Sequence, residues 1–165
     1  MSATHRLALP FILPGQAQKE LFHNEALQAL DLVVAAAVEE PPRTAPPASP
    51  AIGSCYIVAP SPTGAWIGHS GCLAGMTSAG WRFVSPFEGL AAIIRSSGVT
   101  ATYRAGAWQL GTLCGERVEI GGQQVVGPQA SAIPAPASGG VIDAEARVAV
   151  SAILSALRSH GLIAP

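Results

Sequence analysis

Two proline-rich stretches constrain this chain more than any other feature. Pro41 to Pro50 holds five prolines in ten residues, and Pro128 to Gly140 is a second run of Pro, Ala, Ser and Gly. Neither continues a helix or a central strand, because each ring removes a backbone donor and pushes the residue before it toward extended geometry. At both stretches the apolar pattern changes period, from helical to alternating and back again. The expected fold is therefore α+β: an N-terminal arm and helix, a small antiparallel all-β domain, and a C-terminal helix. The expected divisions are residues 1–40 for the arm and amphipathic helix, 41–51 for a linker, and 52–127 for the β domain. A connector at 128–140 and the terminal helix at 141–165 complete the chain.

The opening reads as an apolar extended arm as far as Pro14. From Gln16 the pattern turns helical, with Leu27, Leu30, Val34 and Ala37 on one face and Glu20, Asn24, Gln28 and Asp31 as a polar stripe on another. This helix is predicted to stop by about Val38, since Glu39 and Glu40 oppose the negative end of its dipole and Pro41-Pro42 cannot extend it. The 41–50 stretch then reads as a semi-rigid polyproline spacer of about 3 Å per residue, separating the helix from the β domain.

Short apolar runs bounded by Gly, Pro or Ser predict strands at Cys55–Val58, Trp66–Ile67, Trp81–Val84, Val99–Arg104 and Trp108–Leu110. Thr102 to Trp108 reads as a hairpin with an aromatic residue on each side of its turn. Residues 88–95 fit a short helix or a strand equally well. Glu116 to Val126 alternates around a Gly-Gly pair and predicts a final hairpin. In the last segment Asp143 is a good N-cap, and Ala146, Val150, Ile153 and Leu157 recur at the coiled-coil period. Gly161 should end that helix, with His160 and Leu162 in a Schellman arrangement and Leu162 packing back on Leu157.

Charged residues make up 12% of the chain, about half the usual quarter, so something other than charge must cover its surface. Burial against copies of itself answers this, and the expectation is a homotrimer held by Leu27, Leu30 and Val34 of the first helix and by Ala146, Val150, Ile153 and Leu157 of the last. A net charge of −1 and a single lysine, Lys19, leave no basic stripe for phosphate contacts, so nucleic acid is not an expected partner. Cys55, Cys72 and Cys114 are far apart without a C-x-x-C pair, which suits buried thiols made in a reducing cytoplasm and signals no zinc site. Pro10 interrupts the one apolar stretch that imitates a secretory signal, and Leu32 to Val38 is too short to span a bilayer. Neither a signal peptide nor membrane insertion is expected.

Five aromatic residues are candidates for recognition. Trp66 and Trp81 read as core of a small β domain, which leaves Trp108, Tyr103 and Tyr56 as the candidate ligand-binding residues, stacking on sugar rings. No catalytic residue, metal ligand or cofactor site is expected. Gly68 to Cys72 resembles a nucleophile elbow but lacks its final glycine, so it reads as a plain loop. Asp143 and Glu145 imitate a glycosidase pair, yet they fall in the first turn of a helix, where negative charge is favoured anyway.

The opening order R-L-x-L-P-x-I-x-P-G-Q-A-Q-K-E-x-x-x-N-E-A-L-x-x-L-D, from Arg6 to Asp31, resembles the start of domain-of-unknown-function family 2793, found in prophages and gene transfer agents of alphaproteobacteria. The similarity continues through G-x-x-Y-I-V from Gly53, T-G-A-W-I-G from Thr63 and G-W-R-F-x-x-P from Gly80 to Pro86, and returns at the C-terminal helix. It implies a virion setting and no reaction. The expectation is a non-enzymatic tail-fibre or head-spike component, trimeric as such parts are, made in the bacterial cytoplasm. It would dock to other virion proteins through residues 1–40 and attach to a host-surface polysaccharide. Two alternatives belong to other classes: a structural adaptor or baseplate connector that touches no receptor, and a polysaccharide-degrading enzyme.

Overall fold

The computed structural model describes residues 3–12, 15, 19–137 and 143–165. The helix onset expected at Gln16, the end of the second connector and the first two residues of the 141–165 segment lie outside these. The chain divides by its contacts into two units, Met1–Thr112 and Leu113–Pro165. The arm and first helix thus group with the sheets, and the hairpin near residue 120 groups with the C-terminal helix, whereas the sequence pattern drew boundaries at 40 and 127.

The first unit contains α1 (Lys19–Val33), β1 (Ala37–Val38), β2 (Cys55–Ile57), a 3-10 turn at Gly64–Trp66, β3 (Leu73–Thr77), β4 (Gly80–Val84), β5 (Ala91–Ile94), β6 (Thr100–Arg104) and β7 (Ala107–Leu110). One sheet has the order β1-β5-β6-β7 and another β2-β3-β4. All their pairings are antiparallel except β1 with β5, where Val38 lies opposite Ile94. The ambiguous 88–95 region holds a turn and then the strand Ala91–Ile94, because Ile93 N–H donates to Ala36 O and Arg95 N–H to Val38 O, both at ladder distance.

The β2-β3-β4 sheet is covered on both faces, which is why β2 reads as an unbroken apolar run. On one face Cys55, Ile57 and Leu73 share a core with Val38, Ala92, Ile94 and Ala101 of the other sheet and with Leu32 and Ala36. On the other face Tyr56 and Ala74 pack with Val58 and Trp66, flanked by Trp81 and Phe83. Trp66 belongs to the 3-10 turn rather than to the strand expected there: it is wholly buried, and Ile67 beside it is exposed.

α1 ends at Val33, earlier than Val38, and Ala37–Val38 is strand rather than helix. Ala35 takes a left-handed conformation, φ 46°, and turns the chain toward β5. The last turn of α1 has no basic residue of its own, and Arg6 of the arm supplies the cap. Its guanidinium donates to the carbonyls of Asp31, Leu32 (3.2 Å) and Ala35 (2.7 Å), meeting orphan acceptors at the negative end of the dipole. The 41–50 stretch is not a spacer: Arg43 N–H donates to Ile57 O, Ala59 N–H to Arg43 O and Thr63 N–H to Thr44 O, so it lies along β2.

The second unit holds a hairpin of β8 (Val118–Ile120) and β9 (Gln123–Val126) and the helix α2 (Ala144–Ser159). Asp143 Oδ1 accepts from Ala146 N–H at 2.8 Å as the N-cap. At the other end Gly161, φ 71°, donates to Arg158 O and Leu162 N–H donates to Leu157 O, the two bonds of a Schellman motif. Ala130 bonds the backbone on both sides of Ile163, and Arg158 Nη2 donates to Ile133 O at 2.6 Å. Among the described residues no helix is long and apolar enough to cross a membrane.

Candidate functional site

The β6–β7 hairpin turns at Ala105-Gly106, both at positive φ (51° and 79°), the turn type whose twist matches the strands it joins. Glu88 steadies it by accepting from Ala105 N–H at 3.0 Å. This register sets Tyr103 directly opposite Trp108, with ring centroids 5.6 Å apart in an edge-to-face arrangement. Both rings are half-buried and back onto the main core. They also line an open groove of about 380 Å³ with Pro42, Pro60, Ser70 and Gly71. Trp108 is anchored in it, since its indole Nε1–H donates to Gly71 O at 2.7 Å.

Tyr56 does not join this pair. It is buried on the other face of its sheet in an aromatic triad with Trp66 and Trp81, at centroid separations of 5.2 to 5.9 Å. The structure therefore brings together two of the three candidate ligand-binding residues and places the third elsewhere. Gly68 to Cys72 is a loop of tight turns in which His69 stacks flat on Phe83 at 3.6 Å. Burial pushes the Cys72 thiol above its ordinary range, against a hydrogen bond with Ser85 that lowers it.

The residues named for self-association are unevenly placed. In α1, Leu30 is exposed and Leu27 half-buried, while Leu21 and Phe22 are 65% and 79% exposed; Val34 is exposed but lies in the turn after the helix. In α2, Ala146, Val150 and Ile153 are exposed and Leu157 is half-buried; among the described residues of this unit Leu154 and Ile163 are the buried ones.

Sequence reasoning missed the clasp that holds the arm. Asp31, read as part of a polar stripe on another face of the helix, is buried and accepts from Thr4 Oγ1 at 2.8 Å, Arg6 N–H at 3.0 Å and Leu7 N–H at 2.6 Å. Two turns earlier Asn24 accepts from Ile12 N–H and donates to Ile12 O, as a neighbouring strand would. The signal was present as short polar residues spaced along one face of α1, but nothing local says that a stripe faces backbone rather than water.

Beyond the clasp lies a wide cleft, about 950 Å³, between the arm, the ends of β1 and β5, and the turn before β2. Glu39 and Arg95 pair at 3.5 Å on its wall where β1 and β5 end. Beneath it burial pushes the Cys55 thiol up to about 11, with Arg6 and Arg95 opposing the shift and Glu39 and Asp31 adding to it. A family model described as "Protein of unknown function (DUF2793)" matches residues 23–109, which take in α1 from His23 onward and the sheets through Gln109. No curated protein matches the chain.

Proposed function

The chain belongs to this family of unknown function, and from that premise we propose that it is a non-enzymatic structural protein of a phage or gene transfer agent particle, a fibre or spike component that attaches to the host surface. The arm and α1 dock it to other virion proteins, the sheets carry the receptor site, and α2 ties three copies together. The observation that carries the reading is the open groove floored by Tyr103 and Trp108. Two aromatic faces held edge to face on a rigid hairpin offer a sugar ring an apolar platform, and repeated copies on one particle raise a weak affinity. Exposed Leu21, Phe22 and Leu30 of α1 and Val34 just after it support docking through this segment, and exposed Val150 and Ile153 support association through α2.

One observation favours the adaptor reading instead. The Trp108 N–H is taken by Gly71 O and the ring backs onto the core, as a structural tryptophan would. Particles carrying Trp108→Ala separate the two. Under the attachment reading they assemble normally and fail to adsorb to host cells; normal adsorption leaves the adaptor.

A further inference from the structure

We propose that the cleft between the arm and the carboxyl ends of β1 and β5 is a second binding site, one for a neutral oligosaccharide, and that the arm is built to form one of its walls. The cleft's volume of about 950 Å³ lies within the range of small-ligand sites and suits a few sugar rings. Its charges are already matched: the Arg6 guanidinium is engaged by the carbonyls at the end of α1, Glu40 pairs with Arg43, and Glu39 pairs with Arg95. An anion or a cation would have to displace one of these partners, so the field selects a neutral ligand.

The Glu39–Arg95 pair supplies the polar recognition. At 3.5 Å, with Arg95 54% exposed, it is a long and solvated pair that contributes little to stability and opens at little cost. A sugar hydroxyl between the two donates to the carboxylate and accepts from the guanidinium, gaining two charge-assisted bonds in place of one weak ion pair. Ser96 stands beside Arg95 and is exposed, while exposed Ile52 gives an apolar surface for the C–H face of a ring.

His5 of the arm forms the facing wall, and its place is set by two separate devices. Asp31 holds the backbone of Arg6 and Leu7. Gly53, whose φ of 89° favours glycine, forms the turn against which His5 rests. The wall is thus ordered before a ligand arrives, which lowers the entropic cost of binding.

This site is distinct from the Tyr103–Trp108 groove. β5 and β6 are antiparallel with Ala91 opposite Thr102, so Arg95 lies at the end of the sheet away from the Ala105-Gly106 turn. It stands whether or not Trp108 touches a receptor.

The test is calorimetric or NMR titration of the intact protein with neutral tri- and tetrasaccharides of glucose, galactose, mannose and N-acetylglucosamine, alongside sulfated counterparts. At least one neutral sugar is expected to bind. Arg95→Ala and Glu39→Ala should each weaken it by about tenfold or more, as loss of a charge-assisted bond implies. Asp31→Ala, with release of the arm verified by hydrogen exchange at Leu9 and Ile12, should weaken it as well. Binding by none of the neutral sugars, preference for the sulfated ones, or affinity indifferent to Arg95 and Glu39 would overturn the site. Affinity lost in Trp108→Ala alone would move it to the other groove, and affinity unchanged in Asp31→Ala would remove the arm from it.

Discussion

Gly75→Ala tests how α1 is seated on the sheets. Gly75 is buried in β3 between Cys55 of β2 and Arg82 of β4, and its φ is not in the left-handed range, so its backbone accepts alanine. What forbids a side chain is Leu32. A Cβ on Gly75 would overlap Leu32 Cδ2 and stand 3.1 Å from both Cγ and Cδ1, so the whole isobutyl group must leave rather than one methyl. Leu32 is 6% exposed and packed in the main core, which gives it nowhere to go without moving the helix.

Overpacking of this kind costs about 1–3 kcal/mol, less the few tenths to about 1 kcal/mol gained by stiffening the unfolded chain, so about 2 kcal/mol is expected for Gly75→Ala. Leu32→Ala should cost more, about 3 kcal/mol, because it leaves a cavity over the glycine. In the double variant the new methyl group occupies part of that cavity, and the loss should fall short of the sum by at least about 1 kcal/mol. Urea unfolding followed by tryptophan fluorescence is the assay, since Trp66, Trp81 and Trp108 all lie in the first unit and the signal reports that unit. Losses that add to within about 0.4 kcal/mol would refute the direct seating of Leu32 on Gly75.

The buried Cys55 thiol has a folded pKa of about 11 against an ordinary 9.0; the raised value favours the protonated form, so its contribution to stability is complete below pH 9 and is lost as pH rises to 11. The loss should amount to about 1.4 kcal/mol by pH 10 and about 2.7 kcal/mol above pH 11, read as the change with pH in the stability difference between the native protein and Cys55→Ala; a flat difference would contradict it. For assembly, light scattering should give a trimer mass for the intact chain and a smaller species for Ile153→Asp, whose side chain is exposed on α2; a monomeric intact protein would end the trimer proposal, and a trimer that survives the substitution would move its contacts to the arm and α1.

What the sequence determined by itself is whatever its neighbours in the chain enforce. The Ala105-Gly106 hairpin with Tyr103 against Trp108, the Asp143 cap and the Gly161 terminus of α2 are legible because their hydrogen bonds close within a few residues. β3 was illegible for the opposite reason: Ala74 and Gly75 carry no apolar bulk, and they are small because Trp66 and Leu32 fill the space above them. The end of α1, the strand at Ala37–Val38 and the inward turn of Asp31 were decided only by tertiary structure, through Ile93 and Ile94 more than fifty residues away and through Arg6 reaching back from the arm. The same holds for the candidate site. Aromatic residues announce themselves in sequence, but a strand alternates its faces, so only the packed sheets decide that Tyr103 and Trp108 share a groove while Tyr56 is enclosed behind them.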